Sequence, residues 1–314
     1  MGRVTAILSD FDGTLCPTSD IKQDHTNSEL IPSSLENILC EISLTIPIGI
    51  VTSKDFDFIF SKTKKFAKLL SCILGLETFV LNGRKQINHD KNILNENNKS
   101  CIVDDIIKDR ISTYDPKMLS TNSDILNEIT VYLEKNYQRI SVEKKFLNSK
   151  ENLLGGITLD WRNESDWMTS REKYKEIVKE SVSIALKNAS QKGVSGLSKE
   201  NLAFYHQNIF IQEYTSHPFI DVYVTKLNKG DAFDFVVSKL SEKSSFNGKI
   251  MYLGDSENDN PAFRRSDISI GVNSDNRLNP KLDCTYRIKF ENLPTFLRRL
   301  VDNDFYFSES LLDF

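Results

Sequence analysis

Val4 to Ser9 is a short run of β-branched and aliphatic residues that stops abruptly at Asp10-Phe11-Asp12-Gly13-Thr14. A buried strand that ends in two acids and a glycine delivers polar groups at its carboxyl end and little else. A second apolar run, Ile46 to Val51, ends at Thr52 and Ser53, and a third, Ile250 to Leu253, ends at Gly254-Asp255. Between them, Leu35, Ile38, Leu39 and Ile42 fall on one face of a helix that Ser33 or Ser34 can cap. Phe56 to Leu70 reads as a lysine-rich amphipathic helix, so the first eighty or so residues alternate strand and helix. That alternation implies a parallel sheet of α/β class with a Rossmann-like core. At 314 residues the chain is long enough for about two domains of roughly 150 residues each.

After Asn82-Gly83 the texture changes to the Asn- and Lys-rich stretch from Asn88 to Ser100, which suits a crossing between domains or an exposed loop. Helices are expected at Asp124 to Asn136 and Glu172 to Ala189. Strands are expected near Ile140 to Phe146, Gly156 to Trp161 and Ile209 to Tyr214. From Asp221 the βαβ alternation resumes: Val222 to Thr225, a helix from Lys229 to Leu240, Ile250 to Leu253, Ile268 to Val272, Tyr286 to Ile288 and a helix over Pro294 to Val301. The expectation is a core made of residues 1–83 and 222–314, with an α+β domain, 84–221, inserted into it. The apolar, acidic tail from Phe305 to Phe314 suits either packing on the core or self-association.

Forty Lys and Arg against 44 Asp and Glu leave a net charge of −4, with no basic field or basic-aromatic stripe for nucleic acid. Ile46 to Val51 is far short of the roughly 20 apolar residues of a membrane helix. No secretory leader or myristoylation pattern is read at the start of the sequence, where Ala6 stands in place of the required Ser or Thr. The five cysteines form no Cys-x-x-Cys pair, and His25, His89, His206 and His217 show no metal spacing. Reduced, mostly buried thiols in a cytoplasmic protein are expected.

In an open parallel sheet the carboxyl ends of the strands share one crevice, where such folds bind ligands. Asp10, Asp12, Asp255 and Asp259 would therefore meet, and four carboxylates together need a cation, either a divalent metal or a lysine. Oxygen-only ligands favour a hard ion such as magnesium. Lys229, opening a helix after a strand, can supply the fixed charge.

These residues resemble the four motifs of haloacid dehalogenase superfamily phosphohydrolases. Asp10-Phe11-Asp12-Gly13-Thr14 is similar to the first motif, Thr52 to the second, Lys229-Gly230 to the third and Gly254-Asp255-Ser256-Glu257-Asn258-Asp259 to the fourth. The long insert resembles the type-two cap, an αβ open-faced sandwich, of the family's sugar-phosphate phosphatases. The resemblance implies Asp10 as nucleophile and Asp12 as general acid and base. Gly13, Thr52 or Ser53, and Asn258 would bind the phosphoryl end of the substrate. Lys229 would offset charge, though Lys226 lies in the same Thr-Lys-Leu-Asn-Lys-Gly run. Magnesium would be held by Asp10, the Asp12 carbonyl and Asp255, with Asp259 either ligating through water or orienting Lys229.

Val142-Glu143-Lys144-Lys145 and Asp160-Trp161-Arg162 look similar to the cap strands of trehalose-phosphate phosphatases. That likeness implies Glu143, Lys145 and Arg162 as sugar ligands; the alternative is a solvated charged strand pair. Trp161 or Trp167 would stack on a sugar or serve as packing. Thr52-Ser53-Lys54 and the fourth motif are more similar to glycosyl-3-phosphoglycerate and sucrose-phosphate phosphatases. The resemblance thus implies a magnesium-dependent sugar-phosphate phosphatase with a small-molecule substrate and no nucleic-acid or membrane partner. Its rivals are a phosphomutase of the same superfamily and a non-catalytic sugar-phosphate-binding protein.

Overall fold

In a computed structural model, residues 2–17, 30–82, 107–148, 152–192, 208–215, 217–242, 248–273 and 280–314 are described. The Asn-rich stretch 88–100 and Cys101 lie outside them, as do His25, His89 and His206.

β1 (Gly2–Ser9) is buried along most of its length and lies near the middle of a nine-stranded sheet. Around it are β2 (Ile48–Val51), β3 (Ala67–Cys72), β4 (Glu77–Leu81) and β5 (Ile107–Ile111) on one side. β10 (Lys249–Gly254), β11 (Ile268–Asn273) and β12 (Tyr286–Lys289) lie on the other, in the order β12-β11-β10-β1-β2-β3-β4-β5. The pairs from β12 through β3 are parallel; β4 and β5 are added antiparallel. The β1 run is apolar at every position from Ala6 to Leu8 because both faces of a parallel sheet are covered.

On one face pack α1 (Ser33–Ile42), α2 (Phe56–Thr63) and α7 (Leu293–Asp302), and on the other α5 (Lys229–Ser241) and the short α6 (Asn260–Phe263). The four apolar positions expected on α1 are all buried, although its N-cap is Pro32 with no side-chain cap. α2 ends at Thr63, and Ala67–Cys72 is strand where helix was expected through Leu70. Leu69 and Leu70 face opposite sides of a sheet covered on both, so their adjacency imitates a helix. The tail packs on the core: β13 (Tyr306–Phe307) pairs antiparallel with Gly2 and Arg3, and Arg299 donates to the Leu311 and Asp313 carbonyls.

A second sheet, order β6-β7-β9-β8, is wholly antiparallel: β6 (Ser141–Phe146), β7 (Leu154–Asp160), β8 (Phe210–Glu213) and β9 (Phe219–Tyr223). α3 (Pro116–Asn136) and α4 (Trp167–Lys192) accompany it, with Lys144 turned to Glu134 of α3. Strand alternation then sets Glu143 and Lys145 on the opposite face. β5 pairs with the larger sheet, and β9, which spans residue 222, with the smaller.

Candidate active site

Three strand ends meet. Asp10 follows β1, Thr52 follows β2 and Asp255 follows β10, and the Asp10 N–H donates to Leu253 O at 2.9 Å, locking the β1 and β10 ends together. Lys229 opens α5, whose N-cap is Asn228, its side chain accepting from the Asp231 N–H at 3.0 Å. The Lys229 Nζ lies 2.8 Å from Asp10 Oδ2 and 2.8 Å from Asp259 Oδ1. Lys229 is buried and Lys226 exposed, so Lys229 is the lysine of that run that enters the crevice.

Asp259 is fully buried and its oxygens are occupied. It accepts from Lys229 Nζ, from Tyr252 Oη at 2.7 Å, from the Asp255 and Ser256 N–H groups and from the Ser256 hydroxyl. Of the two roles expected for it, this geometry provides the orientation of Lys229. Asp10, Asp255 and Asp259 each present a carboxylate oxygen within 4.8 Å of the others. Since both Asp259 oxygens are engaged, Asp10 and Asp255 are the pair with capacity for a cation. Their all-oxygen donor set fits a hard divalent ion.

Gly13 has φ +77°, and a Cβ there would stand 2.0 Å from Asp255 Oδ2. Only glycine permits the turn and the approach of the fourth-motif acid together. The Thr14 hydroxyl donates to Asp255 Oδ1 at 3.2 Å.

The electrostatics follow from crowding. Burial pushes the Asp10 carboxyl up from its ordinary 3.8 to about 7; Lys229 opposes the shift, and the Asp259 and Asp12 charges add to it. Asp255 is pushed well above the carboxylate range by burial and by Asp10 and Asp259. Burial alone would lower the Lys229 ammonium, but Asp10 and Asp259 outweigh it and raise it.

Thr52 is fully buried, and its hydroxyl accepts the Lys54 N–H at 3.1 Å, with Ser53 partly buried beside it. Asn258 is partly buried in the turn that carries Asp259. From the smaller sheet, Glu143 reaches this rim: its Oε1 is 2.6 Å from Lys54 Nζ, which is 3.9 Å from Asp12 Oδ2. A second contact joins the Thr215 N–H to Glu257 Oε2 of the fourth motif at 2.8 Å.

The other two expected sugar ligands are engaged elsewhere. Lys145 is buried, with its Nζ 3.0 Å from Asp221 Oδ1 and 3.4 Å from the Tyr223 hydroxyl. Asp221 also accepts from Tyr214 Oη at 2.7 Å, Tyr223 Oη at 3.0 Å and the Thr158 hydroxyl. Burial works to raise the Asp221 carboxyl, but Lys145 and the Thr158 and Tyr214 hydroxyls outweigh it and hold it below the ordinary range. Arg162 Nε donates to Asp160 Oδ2 at 2.6 Å. Trp161 is fully buried, its ring 6.0 Å from Tyr174, so the packing reading holds for it. His217 lies against Tyr214 and Phe219, and its imidazole is lowered to about 4, chiefly by burial.

Lys54, Tyr252 and Asp221 are site or network residues that the sequence reading did not single out. Lys54 stands three residues beyond a strand end, which was the available signal. Tyr252 is simply apolar-strand texture until Asp259 is placed above it.

No protein-family model matches the sequence, and no curated protein does. Solved structures match over nearly the whole chain. The C-terminal domain of a Candida albicans trehalose-6-phosphate phosphatase superposes with a TM-score of 0.58 at 15% identity, covering 96% of this chain and 94% of that one. A trehalose-6-phosphate phosphatase related protein gives 0.55 at 14% identity, covering 94% and 96%. A sugar phosphatase of haloacid dehalogenase subclass IIB gives 0.51 at 13% identity, covering 96% and 100%. These are haloacid dehalogenase superfamily phosphatases, and this chain has their fold. Among the described residues no helix is long and apolar enough to cross a membrane.

Proposed function

We propose that the chain is a phosphomonoester hydrolase acting on a sugar phosphate, with the larger sheet and its helices as catalytic core and the smaller sheet with α3 and α4 as cap; the expected bounds at 83 and 222 shift, because β5 joins the larger sheet and β9 the smaller. The observation that carries this is the Lys229 ammonium fixed 2.8 Å from Asp10 beside Asp255, in a crevice reached by the first strand's second acid, Asp12.

An Asp10 carboxylate oxygen attacks phosphorus in line, the ester P–O bond breaks, and Asp12 protonates the departing alcohol oxygen. Water then attacks the aspartyl-phosphate. Asp12 takes a proton from that water, and inorganic phosphate leaves with Asp10 restored. Covalent catalysis of this kind divides one slow hydrolysis into two easier steps, and the acid–base work of Asp12 is worth about 10² to 10⁴ in rate. Lys229 holds Asp10 and offsets the phosphoryl charge. The Thr52 and Ser53 hydroxyls and Asn258 face the phosphoryl oxygens, and Gly13 keeps the backbone clear.

Magnesium, held by Asp10, Asp255 and the Asp12 carbonyl, would neutralise phosphoryl oxygens and favour the ionised nucleophile. The raised Asp10 and Asp255 carboxyls support a requirement for such a charge. Glu143, which reaches Lys54 from the cap side, supports sugar selection by the cap.

Phosphate release from trehalose 6-phosphate, sucrose 6-phosphate, glycosyl-3-phosphoglycerates and mannose 6-phosphate tests the reading, with magnesium and then with EDTA. Metal-dependent release from at least one is expected. A protein inert to all of them and to an aryl phosphate is not a phosphatase, and isomerised product in place of free phosphate identifies a mutase.

A further inference from the structure

The short segment from Thr52 to Asp55 is held from both ends. The Thr52 hydroxyl accepts the Lys54 N–H at 3.1 Å, and the Ile73 N–H donates to Lys54 O at 2.9 Å. The Lys54 stem runs over Phe58, with Nζ 5.0 Å from the ring centroid, and Phe58 sits edge-on against Phe11 of the first motif. The ammonium is thereby aimed at two carboxylates on opposite sides of the seam between the sheets: Glu143 at 2.6 Å and Asp12 at 3.9 Å. Asp55 grips the same strand a second time, its Oδ2 accepting the Phe146 N–H at 3.2 Å. All three charged side chains of the triad keep some solvent exposure, 14% for Lys54, 24% for Asp12 and 27% for Glu143, so a ligand can reach them.

We propose that Lys54 is a specificity-determining residue that selects polyol phosphates, by joining the acid–base carboxylate to Glu143. The inference rests on the reaction proposed above. To be protonated, the leaving oxygen must lie within hydrogen-bond reach of Asp12. That places the adjoining carbon of the alcohol beside the Lys54 ammonium. A hydroxyl on the next carbon both donates and accepts, so it can accept from Lys54 while donating to Glu143. A vicinal hydroxyl of a sugar fills that pattern; an aryl leaving group offers neither half of it.

The test compares kcat/KM for glucose 1-phosphate and fructose 1-phosphate, each with a hydroxyl on the carbon next to the phosphorylated one, with that for p-nitrophenyl phosphate, in wild type, Lys54→Met, Lys54→Arg, Glu143→Gln and the Lys54→Met/Glu143→Gln pair. Loss of a hydrogen bond to a charged group predicts that Lys54→Met lowers the sugar-to-aryl ratio about ten- to a hundredfold. Lys54→Arg should restore most of it, and the double variant should lose no more than the worse single one, because both remove one shared contact. Any loss of folded protein cancels from the ratio. An unchanged ratio in Lys54→Met overturns this inference alone, as do additive losses in the double variant. A wild type that hydrolyses the aryl ester but neither sugar phosphate overturns it too. A wild type inert to all three overturns the phosphatase reading itself.

Discussion

Replacing Lys145 with Met leaves Asp221 as a carboxylate buried without its cation. Both side chains are nearly inaccessible, 2% and 3% exposed, at a separation of 3.0 Å. Removing one member of such a pair generally costs about 3–5 kcal/mol, because the remaining charge stays desolvated. Three hydroxyls, from Thr158, Tyr214 and Tyr223, still donate to Asp221. That sets the expected loss at the lower end, about 3 kcal/mol at pH 7. The chain's two tryptophans, Trp161 after β7 and Trp167 at the start of α4, both lie beside this sheet, so urea unfolding followed by their fluorescence reports it directly. In wild type the Asp221 carboxyl is depressed, so its contribution is present above the ordinary carboxylate range and is lost as pH falls below it. In Lys145→Met the deficit should shrink on acidification, since protonating Asp221 removes the orphan charge. The Lys145→Met/Asp221→Asn pair should be at least as stable as Lys145→Met. A single-variant loss below about 1 kcal/mol, or losses that simply add in the pair, refutes the claim of a coupled buried ion pair.

Further outcomes follow from the catalytic crevice. Lys229→Met should lower kcat by about 10² to 10³, measured as phosphate release, because a preorganised charge at the phosphoryl group is lost. Gly13→Ala should abolish turnover and weaken magnesium binding by calorimetry, since the added methyl would stand on Asp255 and φ there is +77°. In EDTA, the thermal stability of wild type relative to Asp10→Asn should fall as pH rises from about 4 through about 7, because folding takes up a proton on Asp10 in that window, while the opposing contribution of buried His217 is common to both proteins. Magnesium should reverse that fall, and identical pH profiles with and without it would contradict the crowding argument.

The parts of the fold legible in the sequence were those in which one residue pattern had one meaning. β1 followed by Asp-Phe-Asp-Gly-Thr can be little other than a strand presenting acids, and the α1 stripe is entirely buried. β3 was read as helix because a strand covered on both faces loses its alternation, and Lys64 to Phe66 turn without Gly or Pro. β4 was hidden by Glu77, which is buried yet satisfied by Arg110 and the Asn148 N–H from distant segments. Lys145 illustrates the same limit at the site. Its strand position and charge were readable, but its partner Asp221 lies 76 residues away and was read only as the place where the alternation resumes.

The most direct measurement is to quench the enzyme in acid during turnover of a sugar or aryl phosphate and locate phosphoryl mass by peptide mass spectrometry. The account predicts a labile phosphoryl group on the peptide carrying Asp10, present in wild type with magnesium and absent from Asp10→Asn. Turnover that persists in Asp10→Asn, or a phosphoryl group on any other residue, would contradict it.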